Sequence, residues 1–353
     1  MTTNIPEVTV GVDLGDKFSH ICVLNSAGQK IEESRLATTP EAVRQRFSGM
    51  PRARIALETG THSRWFSKLL EECGHEVVVA NAREASRLCR RESKTDRLDA
   101  EQLARFARVD PTILRPIVHR SDAKHADLAI IRARDTLVRS RTQLVNHVRG
   151  TLKAHGVRAK GCTTRSFEKK VVAVIPECLK PAMLPLLETL HGLSKRIAHY
   201  DRLIDRLCND VYGETKLLQQ IKGVGSLTSL AFVLTLGDPR RFKSSRRVGA
   251  YLGLRPKKRQ SGDVDPELRI TKMGDRYLRR ILVTSAHYIL GPFGEDSDLR
   301  RWGLELAGRG GKNAKKRAVV AVARKLAGLL HRLWVTGEVY EPLRQRTPRK
   351  LAS

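Results

Sequence analysis

The chain has 353 residues, 41% of them hydrophobic, and a formal net charge of +29. That length supports two or three domains, each with its own core, and the apolar content excludes a disordered chain. No apolar run is long enough to span a bilayer and no secretory signal opens the chain, so a membrane protein is not expected.

The six cysteines (Cys22, Cys73, Cys89, Cys162, Cys178, Cys208) are scattered without a CxxC pair. A zinc site or disulfide framework is therefore not expected, and a reducing cytoplasm is. The charge is segregated. Residues 1–110 carry 17 Lys/Arg against 16 Asp/Glu, residues 111–210 carry 19 against 9, and residues 211–353 carry 30 against 12. A surplus confined to the last two-thirds points to a polyanionic partner, with nucleic acid the default.

In chain order, residues 8–14, 18–25 and 29–37 read as three short strands, the last two joined by a turn at Ser26-Ala27-Gly28. A helix is expected over 40–48, with Thr39 as N-cap and Pro40 at the first position. A fourth strand, "RARIALETG" (52–60), ends in Glu58, a helix covers 62–73, and "HEVVVAN" (75–81) is a fifth strand. Helices follow over 83–91 and 96–108. A three-stranded meander followed by βα units is the order of the ribonuclease-H-like fold, which resolvases and actin-like ATPases share.

Residues 123–155 read as one long helix in which Ile131, Val138, Val145 and Leu152 recur every seven positions. A second long helix is expected over 184–215, with Pro185 in its first turn and a heptad stripe of Leu186, Leu190, Leu193, Ile197, Tyr200, Ile204, Leu207 and Val211. The pair fits either an antiparallel coiled coil within one chain or a dimerisation or RNA-holding arm. Residues 217–238 read as helix, Gly223-Val224-Gly225 turn, helix, a helix-hairpin-helix-like element suited to gripping a phosphate. The stretch 240–259 holds Arg240, Arg241, Lys243, Arg246, Arg247, Arg255, Lys257, Lys258 and Arg259 with no acid, interrupted by Tyr251, Leu252 and Leu254, so it is expected to be a structured phosphate-binding surface. Residues 314–335 form a last amphipathic helix.

The acids form a second pattern. Asp96, Asp99, Leu103 and Phe106 in the helix opened by "KTDRLDA" are spaced three, four and three, which puts both aspartates on the core-facing stripe. Paired carboxylates there are costly unless a cation neutralises them. Asp13 ends the first strand and Glu58 the fourth, and neighbouring strand ends converge on one sheet edge. Four hard oxygen donors suit Mg²⁺ or Mn²⁺, and two such ions would assist phosphoryl transfer. Asp16 competes with Asp13 as a ligand.

"GVDLGDKFSH", "ALETG", "KTDRLDA" and "YLGLRPKKRQSG…RITKMGDRYLRRILV" together resemble the DEDD transposases of bacterial insertion sequences, the "IS-one-ten" family. The first three are similar to its resolvase-like (RuvC-like) domain, the last to its C-terminal transposase domain. The resemblance implies an α/β RuvC-like domain over 1–115, a helical coiled-coil region over 116–215, a transposase domain over 216–300 and a terminal helix and tail over 301–353, the last three all-α. It implies that Asp13, Glu58, Asp96 and Asp99 bind metal and that Ser261 is a nucleophile, with Ser244, Ser245 and Ser285 as rivals. Attack by Ser261 would store phosphodiester energy in a phosphoserine linkage. It further implies donor and target DNA as substrates, a structured guide RNA, a homodimer assembling to a tetramer with a composite site, and a bacterial, nucleoid-associated location. A metal-dependent junction resolvase without covalent chemistry and an actin-like kinase are the competing readings.

Overall fold

The structure, a computed structural model, describes residues 7–82, 96–159, 161–163, 166–260, 266 and 268–344, without the side chains of residues 96 and 97. The helix expected over 83–91 lies outside the described residues. The chain divides into two compact units, residues 1–120 and 121–353.

The first unit is built on a five-stranded mixed sheet in the order β3-β2-β1-β4-β5. β1 (Val8–Asp13), β2 (Phe18–Asn25) and β3 (Lys30–Ala37) form the antiparallel meander, while β4 (Arg54–Glu58) and β5 (Glu76–Ala80) run parallel to β1. Alternation sorts the side chains. Val10, Val12, Ile55 and Leu57 enter a core with α1 (Pro40–Phe47) and α2 (Ser63–Glu72). Phe47 and Phe66 meet there edge-to-face at 6.5 Å, and burial of each ring is worth about 1.5–3 kcal/mol. As expected, Thr39 caps α1 and Pro40 follows it.

The other face carries Leu24 and Val78 together with several small residues. Gly11, Ala56 and Ala80 meet α3 (Asp96–Val109), whose own contact residues include Ala100, Leu103, Ala104 and Ala107. The approach is closest at Gly11, where a Cβ would lie 1.9 Å from the Ala100 carbonyl oxygen and 2.7 Å from the Ala104 nitrogen. After α3, Asp110 caps a short 3₁₀ turn, and Ile117 donates its N–H to the Val79 carbonyl, tying the end of the unit back to β5.

The second unit is helical. α4 (Asp122–Ala154) packs antiparallel to α6 (Lys180–Arg206), with the short α5 (Phe167–Val172) closing one end of their shared core. Within α4, Ile131, Val145 and Leu152 are buried and Val138 is half-buried, as the heptad reading expects. The reading of α6 needs correction. The helix begins at Lys180, so Pro181 occupies the first turn and Pro185 lies inside, where one backbone hydrogen bond is forgone. A π-helical turn over Leu207–Val211 ends it.

The buried row of α6 runs through Met183, Leu187, Leu190, Ile197 and Ile204 and continues to Cys208, whereas Val211 is 60% exposed. Both rows share the spine at Leu190, Ile197 and Ile204. The sequence favours the flank with Leu193 and Tyr200, whereas Ser194 and Asp201 line the seam with α4, where Arg134 pairs with Asp201.

The largest core gathers the remaining helices. These are α7 (Thr215–Gln219), α8 (Ser226–Leu236), α9 (Arg246–Tyr251), α10 (Arg276–Leu290), α11 (Asp298–Gly308) and α12 (Ala314–Thr336). Ion pairs weld α4 to α10. Arg132 meets Asp275, which also caps α10, and Arg280 meets Asp135, which is only 7% exposed. Among the described residues, no helix is long and apolar enough to cross a membrane.

Replacing Gly11 by Ala is expected to lower the unfolding free energy by about 3 kcal/mol, since the added methyl meets backbone and not a movable side chain. Urea titration checks this. A stability equal to wild type would show that α3 does not rest on β1 as described.

Candidate functional site

The acidic candidates in the first unit follow from the sheet register. Val12 pairs with Leu57 on parallel neighbours, so Asp13 and Glu58 come next on adjacent strands, on the face that carries Gly11 and Ala56. This is the face α3 covers. Asp99 immediately precedes Ala100, whose carbonyl lies over Gly11 two residues before Asp13. Asp13, Glu58 and Asp99 are half-buried, and none is without a partner. Asp96 lies in the first turn of α3, and its side chain is outside the described residues.

The set supplies hard carboxylate oxygens of the kind a divalent cation takes. Among the described residues, no three His, Cys, Asp or Glu side chains are gathered closely enough to hold a metal ion. Asp13, Glu58 and Asp99 thus share a face without forming a finished cage.

A further contact at this edge is absent from the sequence reading. Trp65 donates its indole N–H to His62 Nδ1 at 3.2 Å. An indole nitrogen can only donate, so His62 carries its proton on Nε2, which faces Asp16 Oδ1 at 3.4 Å. Asp16 follows Asp13 by three residues and His62 follows Glu58 by four, so the loops leaving the two acid-bearing strands meet through this contact. The signal in the sequence was a histidine and a tryptophan three apart just after a strand-end acid.

The second unit holds the basic candidates. Arg240, Arg241, Lys243, Arg246, Arg247, Arg255, Lys257, Lys258 and Arg259 are all exposed, while Val248, Leu252 and Leu254 between them are buried. Arg241 lies between the rings of Phe242 and Tyr251, at 4.9 and 4.7 Å, which holds a cation on the surface by stacking.

The two halves of the C-terminal motif interlock. Gly253 and Gly274 both take positive φ, and a Cβ on either would lie 2.2 Å or less from backbone of the other's segment. Arg279 then donates to the Leu252 and Met273 carbonyls at 2.9 and 2.8 Å. Backbone bonds from Lys257 to Arg269 and from Thr271 to Arg255 pair the flanks of the segment that contains Ser261. Ser261 itself lies outside the described residues. The Gly223-Val224-Gly225 turn connects α7 to α8, with Gly223 at φ +94° against Tyr288 and Gly225 as N-cap of α8.

The rival serines differ in environment. Ser244 is exposed and Ser285 is buried in α10. Ser245 Oγ is 2.9 Å from His331 Nδ1, and His331 Nε2 is 2.9 Å from the Pro239 carbonyl. A carbonyl only accepts, so the ring proton sits on Nε2 and the Ser245 hydroxyl donates to Nδ1. His331 is buried, with the Phe242 ring edge-on at 5.5 Å, and the pair ties the start of the basic segment to α12.

Comparison with known proteins gives these two regions a family. Residues 10–156 match the DEDD transposase domain of the IS110 group, and residues 215–293 match the transposase domain of the IS116/IS110/IS902 family. A Sinorhizobium fredii protein that carries a transposase name, y4pF/y4sB, is 30% identical over 94% of this chain and 85% of its own length. The transposase for insertion sequence element IS1111A of Coxiella burnetii is 30% identical over 70% of this chain and 68% of its own. A pilin gene-inverting protein of Moraxella bovis is 25% identical over 66% and 64%. The fold and the matched domains define a DNA-rearranging enzyme, a transposase whose DEDD domain points to dependence on a divalent metal. The chain belongs to the IS110 family of insertion-sequence transposases.

Ser245→Ala is expected to keep DNA strand exchange while lowering stability by about 1 kcal/mol through loss of the His331 hydrogen bond. A recombination assay alongside thermal melting separates the two effects. Loss of exchange in a fully folded variant would transfer the nucleophile's role to Ser245.

Proposed function

We propose that the chain is an insertion-sequence recombinase whose first unit is a ribonuclease-H-like (RuvC-like) metal-dependent nuclease and whose second unit carries a serine nucleophile. The observation that carries this reading is the register that sets Asp13 beside Glu58 on the sheet face covered by the helix of Asp96 and Asp99. In this reading Asp13, Glu58, Asp96 and Asp99 hold Mg²⁺ or Mn²⁺, which stabilises negative charge developing on the phosphate. Since the described acids form no finished cage, binding requires Asp96 or a rotamer change at the others.

The Ser261 Oγ forms a bond to phosphorus as one strand oxygen leaves as a hydroxyl, and the serine proton passes to that leaving oxygen. The phosphoserine keeps the energy of the broken bond, so rejoining by a new strand hydroxyl needs no nucleotide hydrolysis. The exposed cations over 240–259 hold the strand during both steps. The Moraxella bovis relative, whose name describes inversion of a gene, supports cutting and rejoining over cleavage alone.

The reading extends to a domain scheme of 1–115 nuclease, 116–215 helical arm, 216–300 transposase and 301–353 terminal helix and tail. The Gly223–Gly225 turn serves as a helix-hairpin-helix phosphate grip, and the arm's basic outer faces hold a structured guide RNA. The enzyme works on bacterial DNA at the nucleoid, as a dimer of dimers in which acids of one protomer meet the serine of another. Family membership leaves the actin-like kinase without support.

The decisive experiment is a plasmid recombination assay on single substitutions. Ser261→Ala is expected to abolish strand exchange and leave DNA and RNA binding unchanged, and full activity would remove the covalent role. Asp99→Asn and Glu58→Gln are each expected to slow exchange on the order of 10²–10³-fold. EDTA should stop the wild-type reaction and Mg²⁺ or Mn²⁺ restore it, while activity that survives chelation would overturn the metal reading.

A further inference from the structure

Polar residues interrupt the largely apolar core between α4 and α6 at two layers. At the first, Arg134 pairs with Asp201. Two helical turns further along α4, Arg141 lines the same cavity as Ser194, which brings no negative charge. Both layers open into one cavity of about 400 Å³. Its wall is apolar at Val145, Phe167, Leu190 and Ile197, and His191, held at 3.0 Å by Glu168, stands at its side.

Among the described residues, Arg141 makes no hydrogen bond or ion pair. Burial, and then the charge of Arg134, draw its guanidinium below the usual arginine range, with Asp201 opposing. Asp201 is already bonded to Arg134, so the Arg141 charge is only partly matched, and an added anion would complete it. A planar guanidinium beside a hydroxyl suits a phosphate.

The cavity is of the size that takes a small organic ligand, so a sugar or base fits beside the phosphate. Close by lies a second recess of about 420 Å³, lined among the described residues by Arg149, Lys153, Arg158 and Ala159. Phe167 joins the two, for it walls the first cavity and lies under the Arg149 guanidinium at 5.1 Å. Arg141 and Arg149 are eight residues apart, about 12 Å along the helix. A short stretch of extended strand covers that distance.

We propose that this seam is a nucleotide-binding site for single-stranded nucleic acid. Arg141 and Ser194 take one backbone phosphate, Phe167 and its apolar neighbours take the attached sugar or base, and Arg149, Lys153 and Arg158 take the phosphates that follow. The site lies wholly in the second unit and does not depend on the acids of the first being catalytic.

The test uses the full chain, a fluorescent single-stranded oligonucleotide, adenosine 5′-monophosphate and inorganic phosphate, with thermal melting as a control for folding. Arg141→Gln is expected to weaken oligonucleotide binding about tenfold or more, and to reduce the slope of log affinity against log salt by about 1. Arg141→Lys should recover part of the affinity, and the mononucleotide should compete with the oligonucleotide on the wild type. Arg141→Leu should melt above wild type without ligand, because it removes the partly matched charge. Oligonucleotide binding equal to wild type in Arg141→Gln overturns the proposal. If only mononucleotide or phosphate binding is lost, the cavity serves a free nucleotide and the strand reading falls. If the mass of the assembly changes while binding does not, the anion is a carboxylate of a second copy, which also overturns it.

Discussion

The contact on which the first unit depends is the one between Gly11 and the backbone of α3. A sheet and a helix normally stand about 10 Å apart because side chains fill the gap. Here Gly11, Ala56 and Ala80 on the sheet face Ala100, Ala104 and Ala107 on the helix, and the gap closes to backbone contact. Little apolar area is gained at these positions, so the arrangement is a poor way to build a core. It brings the turn carrying Asp99 down to the level of Asp13 and Glu58. Any larger side chain at position 11 would lift the helix, and the carboxylates with it. Leu24, Val78 and Leu103 flank the close approach, and the largest cluster of apolar side chains in this unit, with Phe47, Phe66, Leu57 and Val12, lies on the opposite face.

The second unit solves a different problem, which is to hold many like charges close together on one surface. Exposed cations over 240–259 repel one another, so their backbone must be fixed by something other than the charges. The fixing is done underneath. Gly253 and Gly274 let two chain segments touch, Arg279 bonds to both, and Val248, Leu252 and Leu254 anchor the segment in the core. Ser245 and His331 pin its start. Arg132 and Arg280 connect α10 to the long helix α4, so the arm and the basic surface share one scaffold. In the proposed reading, the near-neutral first unit handles cations and the basic second unit binds anions.

Much of this was legible in the residues. The strand meander, the βα units and the acids at strand ends follow from alternation and from polar residues interrupting apolar runs, and the sheet order agrees with them. The seven-residue recurrence in α4 was legible as well. The second row of α6 was not, because a heptad spine is compatible with a partner on either flank, and apolar content alone prefers Leu193 and Tyr200. The ion pair between Arg134 and Asp201, far apart in sequence, sits on the other flank. His62, Trp65 and Asp16 were illegible for a similar reason, since their contact exists only once two parallel strands are in register.

The sequence by itself determined the element types, the segregation of charge, the acids and the family motifs, because each depends on local periodicity or residue chemistry. Only the tertiary structure decided which residues face one another. It set Asp13 beside Glu58, closed α3 onto Gly11, brought Arg141 and Ser194 to the wall of one cavity, and tied Ser245 to His331. Such pairings join positions tens of residues apart. They are fixed by backbone register and by which side chains are small enough to permit approach, and neither is a property of any single stretch of chain.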